Sequence, residues 1–228
     1  ERVTKEPATV IKAIPEEELI AAAVDRVEKG IVKIMLGEEG DVVGAGMVVS
    51  SSGMIVSDVN PGEFAEEAKY YGIFSDGRKF PLAMLDFNKG GFSVFSAQFG
   101  EDKKNIYVPE AVSLGDSDKI RIGQTVLLIS SAGDLQKGIV SGLVRDITTE
   151  GNASSTPAVA NETTSPKETK IVKLIKTSII LSKENSGVPL FTLDGDVIGI
   201  TIYRDGVKVA IPSNIVKESA DAIVSSKK

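Results

Sequence analysis

The chain has 228 residues, 42% of them hydrophobic, enough to bury a substantial core as one large β domain or two small ones. Its net charge of -6, with no run of Lys or Arg longer than two, excludes a concentrated phosphate-binding face and so argues against nucleic acid as a partner. Histidine and cysteine are both absent, which excludes imidazole or thiolate metal sites, disulfides and a histidine general base; neither a metal nor a cofactor is expected.

Residues 1–13 lack periodicity and read as an extended arm. Pro15 opens a helix with Glu16, Glu17 and Glu18 in its first turn, Arg26 and Lys29 in its last, and Gly30 as a left-handed stop. Ile20, Val24 and Val27 fall on one face of it. From Ile31 the pattern changes to short β segments separated by turn signals. Ile31–Leu36, Val42–Ser50, Met54–Ser57, Tyr70–Ser75, Lys79–Leu85 and Phe92–Phe95 form a first series, with Asp76-Gly77 a strong hairpin turn. Gly44-Ala45-Gly46 lacks the third glycine and the following helix of a dinucleotide fingerprint, and instead marks a bulge or a close backbone approach. Thr125–Ser130, Gly138–Ile147, Ile171–Thr177, Leu190–Leu193, Val197–Tyr203 and Val207–Ile211 form a second series. Between two of these strands, 148–170 is too polar to bury and reads as a mobile loop. Ser213 can cap a terminal helix with Val216, Ala220 and Ile223 on its apolar face. Many short strands with no recurring helix between them indicate an all-β barrel or sandwich. No apolar run approaches the ~18 residues needed to cross a bilayer.

One stretch, Lys183-Glu184-Asn185-Ser186-Gly187-Val188-Pro189-Leu190-Phe191, sets a hydroxyl on a tight turn just before a buried strand. Such a turn is either an ordinary surface turn or a way of presenting an oxygen nucleophile. Together with Val43–Val49, Gly53–Ser57, Ser75–Phe80, Leu114–Asp118, Ile122–Gln124, Gly138–Ser141, Asp196–Gly199 and Ala210–Asn214, in that order along the chain, it resembles the HtrA (Deg) branch of the trypsin-like serine proteases. The resemblance spans about Val27 to Val224. It implies two six-stranded β-barrels with an active cleft between them, and short helices at both ends. The expected units are an arm and helix over 1–30, a first barrel over 31–113, a second over 114–212 and a C-terminal helix over 213–228.

Carried over residue by residue, the resemblance sets Ser186 at the nucleophile position, Asn60 at the histidine position and Gly91 at the aspartate position. Glu184 and Ser186 stand at the oxyanion-hole positions, Val188 replaces a second family glycine, and Ile180 stands at the specificity-pocket position, implying an apolar or plugged pocket. An amide cannot take a proton from a serine hydroxyl, and removing triad members costs on the order of 10⁶ in turnover. The resulting expectation is a pseudoprotease that binds protein or peptide, or serves as a scaffold. Two alternatives stand beside it: a serine endopeptidase with a non-histidine base, for which Lys183 and Lys89 are the lysine candidates, and a structural subunit of an extracytoplasmic assembly, including a homo-oligomer. The resemblance also implies a periplasmic or cell-surface location, with a membrane anchor outside this chain.

Overall fold

The computed structural model describes residues 14–87, 91–100, 107–149, 168–204 and 206–226. Two antiparallel sheets each close into a six-stranded barrel. The first contains β1 (Ile31–Leu36), β2 (Val42–Val48), β3 (Met54–Ser57), β4 (Tyr70–Ile73), β5 (Lys79–Phe87) and β6 (Ser93–Ala97), in the spatial order β1-β2-β3-β6-β5-β4. The second contains β7 (Thr125–Ile129), β8 (Leu135–Thr149), β9 (Glu168–Thr177), β10 (Pro189–Phe191), β11 (Val197–Arg204) and β12 (Val207–Pro212), in the order β10-β11-β12-β9-β8-β7. Helices α1 (Glu16–Val27) and α2 (Ser213–Ser226) flank them.

The strands form where β-branched and aromatic residues run between turn residues. Gly77 takes φ +81° at the β4–β5 turn, where the Asp76 carboxylate accepts the Arg78 N–H at 3.0 Å. Gly44 and Gly46 mark a close approach inside β2. A Cβ at Gly44 would lie 2.6 Å from the Val59 side chain, and one at Gly46 would lie 2.8 Å from the Val56 carbonyl oxygen.

Burial is organised around two clusters. One fills the first barrel and includes Val32, Ile34, Ile55 and Phe95. The other runs from the interior of the second barrel (Leu127, Ile175, Leu190, Ile200) to Ala45, Met47, Val56 and Phe92 of the first, and takes in Ala23 and Val27 of α1. The barrels are therefore joined by a shared apolar core, and the cleft between them has rigid walls.

Several local expectations change. In α1 the fully buried residues are Ala23 and Val27, with Ile20 and Val24 packed only in part. Gly30 is not left-handed; a short 3₁₀ turn carries the chain from α1 into β1, and the glycine is required by space, because a Cβ there would lie 2.5 Å from the Val112 side chain. Ser213 is the first residue of α2, and its hydroxyl donates to the Gly115 carbonyl at 2.7 Å instead of capping the helix. Across from it, Asn214 donates to Asp116 Oδ1 and Asp118 Oδ2 at 3.0 and 2.9 Å, so the Leu114–Asp118 and Ala210–Asn214 motifs meet as a joint under α2. Asn214 and Lys119 hold the Asp116 carboxyl below its ordinary range. The expected loop is shorter at both ends, since β8 runs to Thr149 and β9 begins at Glu168; the rest of that stretch lies outside the described residues.

Among the described residues, Thr192 carries a buried hydroxyl with no hydrogen-bond partner, the residue being 8% exposed. Thr192→Val keeps the branched shape and removes the unpaired oxygen. Its expected effect is a gain of about 1 kcal/mol, read as a rise of roughly 2–4 °C in the thermal midpoint.

Candidate active site between the barrels

The cleft is built from the loop that follows β3, the turn that precedes β10, and the end of β11. Two buried serines fix the first of these. Ser57 donates to the Ala45 carbonyl and accepts the Val59 N–H at 3.0 Å, while Ser93 donates to the Val59 carbonyl at 2.6 Å. The backbone on either side of Asp58 is thereby held. The second element is fixed just as firmly. Residues Lys183–Asn185 form a 3₁₀ turn, and the Asn185 side chain accepts the Ser182 N–H at 2.7 Å and donates to the Ile180 carbonyl at 3.0 Å. Thr201 of β11 closes the turn from below: its hydroxyl lies 2.8 Å from the Asn185 carbonyl and 2.9 Å from that of Val188, and it accepts the Val188 N–H.

Gly187 joins the two halves. Its φ is +75°, its N–H donates to the Thr201 carbonyl at 2.8 Å, and a Cβ there would lie 2.3 Å from the Ala45 carbonyl oxygen and 3.1 Å from the Asp58 nitrogen. Only glycine fits a left-handed residue pressed against another backbone.

Ser186 is buried, 9% exposed, at the bottom of a cavity of about 190 Å³ lined by Gly44, Asp58, Asn60, Lys183, Ser186 and Tyr203 among others. Its hydroxyl donates to Asp58 Oδ2. The Tyr203 N–H donates to the same carboxylate oxygen at 3.0 Å and to Ser186 Oγ at 2.8 Å. Asp58 and Tyr203 were not among the residues singled out from the sequence. Asp58 stands two residues before Asn60 with nothing local to mark it, and its partners are 128 and 145 positions away.

Asn60 lines the same cavity, but its side-chain oxygen accepts the Gly62 N–H at 3.0 Å and caps the 3₁₀ turn over Pro61–Glu63. Gly91 has φ +95°, a conformation that suits glycine and would strain an aspartate. At Glu184 and Ser186, the positions expected to form an oxyanion hole, the N–H groups are turned elsewhere. That of Ser186 donates to the Lys183 carbonyl at 3.4 Å, closing the 3₁₀ turn. That of Glu184 meets its own carboxylate, which the Ser182 hydroxyl and this N–H hold below the ordinary range. Val188 is fully buried behind the turn.

Two further expectations take a different form. Ile180 is 80% exposed, so its side chain faces solvent and neither lines nor plugs a pocket. Its carbonyl serves the turn instead, as the acceptor for Asn185. Lys183 is exposed at the rim of the cavity; Lys89 lies outside the described residues.

Chemically, the Ser186 hydroxyl meets a carboxylate where a serine nucleophile usually meets an imidazole. The arrangement supplies hydrogen bonding and shape, and among the described residues no pair of free N–H groups is aimed at a developing oxyanion.

Comparison with known proteins agrees with the architecture. The chain is 28% identical over 194 residues to a probable periplasmic serine endoprotease DegP-like of Halomonas elongata, a match covering 82% of this chain and 36% of that protein. It is 32% identical over 127 residues to the serine protease Do-like HtrA of Bacillus subtilis, covering 52% of this chain and 26% of that one. It is 26% identical over 256 residues to the serine protease PepD of Mycobacterium tuberculosis, covering 97% of this chain and 50% of that one. The matches thus take in between a quarter and a half of these relatives' length. The model of the trypsin-like peptidase domain matches residues 34–200, most of both barrels, and the chain belongs to the trypsin-like peptidase family, among relatives named as HtrA- and DegP-like serine proteases.

Proposed function

We propose that this chain is a pseudoprotease: a trypsin-fold protein that binds protein or peptide, or acts as a scaffold, without cleaving. The observation that carries this reading is the state of Ser186. Its hydroxyl is engaged by Asp58 and by the Tyr203 N–H, while Asn60, at the histidine position, caps its own turn. The Tyr203 N–H uses the hydroxyl as an acceptor, and the amide at position 60 cannot take its proton as an imidazole would. Binding by such a protein needs no cofactor. The names of the periplasmic relatives support an extracytoplasmic location; among the described residues no helix is long and apolar enough to cross a membrane.

The test is cleavage of casein and of fluorogenic peptide libraries by the purified protein beside Ser186→Ala, with circular dichroism confirming that both are folded. No serine-dependent product is expected. Product formation that disappears in the variant would overturn the reading.

The contact between Ser186 and Asp58 also favours a second reading, a serine endopeptidase with a carboxylate as its base. On that reading a fluorophosphonate probe labels Ser186 at neutral pH, and labelling rises as the carboxylate ionises. Absence of labelling across pH 4–9 would remove it.

A further inference from the structure

We infer that Ser186, Asp58 and Tyr203 form a latch that holds the two barrels together, so that the hydroxyl at the nucleophile position works as a structural tie. The geometry has a donor side and an acceptor side on different barrels. Asp58 leaves the end of β3 in the first barrel; Ser186 precedes β10 and Tyr203 lies on β11 in the second. One carboxylate oxygen accepts the Ser186 hydroxyl and, at 3.0 Å, the Tyr203 N–H, and that N–H is shared with Ser186 Oγ at 2.8 Å. Three groups from three chain segments thus close a small triangle across the cleft.

Both sides are set in place before they meet. Ser57 and Ser93 hold the backbone around Asp58, and Thr201 with the Asn185 side chain holds the turn that carries Ser186. Little conformational freedom remains to be lost when the latch closes, and hydrogen bonds in a partly buried cleft are stronger than those exposed to water. The seat of Gly187 against Ala45 and Asp58 sets the distance at which the latch operates. The expected behaviour is opposite to that of a working nucleophile. Residues kept for chemistry commonly sit at some expense to stability, so that replacing them leaves the fold as stable as before or more so; removing Ser186 here weakens the fold. The inference rests on the contact between the barrels and is independent of whether the protein cleaves.

A double-mutant cycle on the whole chain tests it, with Ser186→Ala, Asp58→Asn and the pair measured by urea denaturation. Each single variant is expected to lower the folding equilibrium constant about tenfold or more. The pair should be no worse than the weaker single variant, a coupling of about tenfold. A Ser186→Ala protein as stable as the parent, or strictly additive effects, would overturn the latch. Hydrogen exchange of the Tyr203 amide in the unaltered protein gives a second reading that needs no variant to fold. Protection close to that of the barrel cores is expected, and exchange at the rate of an exposed loop would equally sink the idea.

Discussion

Gly187→Ala is expected to destabilise the protein by more than about 3 kcal/mol, a large share of the ~5–15 kcal/mol that holds a domain folded. Two effects combine. A left-handed φ of +75° costs a residue with a Cβ about 1–2 kcal/mol. The Cβ would also stand 2.3 Å from the Ala45 oxygen, well inside van der Waals contact, and its neighbours there are backbone atoms that cannot rotate away. Relief requires the barrels to move apart, and the apolar core they share resists that movement. Gly77→Ala is the matched control, because Gly77 has φ +81° with nothing within 4 Å of a Cβ, so it carries the conformational term alone. The urea midpoint should fall much further for Gly187→Ala than for Gly77→Ala. Equal losses would mean that contact between the barrels contributes nothing at this position.

The second large effect is a failure to gain. Placing histidine and aspartate where the family resemblance would put them, as Asn60→His with Gly91→Asp, is expected to leave kcat/KM at least ~10⁴-fold below that of an ordinary enzyme of this fold. A histidine at position 60 would find the Ser186 hydroxyl already donated to Asp58. An aspartate at position 91 would have to adopt φ +95°, outside its comfortable range. Neither change frees the Ser186 N–H from Lys183 or the Glu184 N–H from its own carboxylate, and one lost oxyanion donor alone costs about 10²–10³. Steady-state assay of the double variant on a fluorogenic peptide checks this. Turnover in the usual range of serine proteases would show that the turn at 183–186 rearranges easily and that positions 60 and 91 alone decide activity.

Much of the architecture was legible in the sequence because β structure in small barrels is punctuated locally. Ile31–Leu36 and Met54–Ser57 begin and end where turn residues say they should. Where the ends moved, the cause is pairing between distant strands. β8 is longer than its own residues suggest because β7 and β9 supply partners from Leu135 to Thr149. Gly30 looked like a helix stop, but its requirement comes from Val112, which is far away in sequence. The site was legible as positions and illegible as contacts. Order along the chain brings Ser186 and Asn60 to one cavity, yet no spacing rule reveals that Asp58 crosses the cleft or that Ile180 faces solvent. A strand's alternation says which face a side chain takes; the residues that follow a strand obey no such period.

Closure of the barrels has a bearing on how such a protein can associate. A closed sheet offers no row of unpaired N–H and C=O groups to a second molecule, so strand addition and sheet-to-sheet aggregation have no foothold on it. Exceptions arise where strands outrun their neighbours: β4 pairs with β5 only as far as Leu82, so Ala83–Phe87 pair with β6 alone, and β8 and β9 do the same at greater length. β7 pairs with β8 only as far as Ile139, and β12 meets β9 at Ile175, so beyond these points Val144–Thr149 and Glu168–Leu174 pair only with each other, as a two-stranded ribbon. Backbone-mediated assembly has its openings at such overhangs, and contacts made on the closed parts of the barrels must be made by side chains.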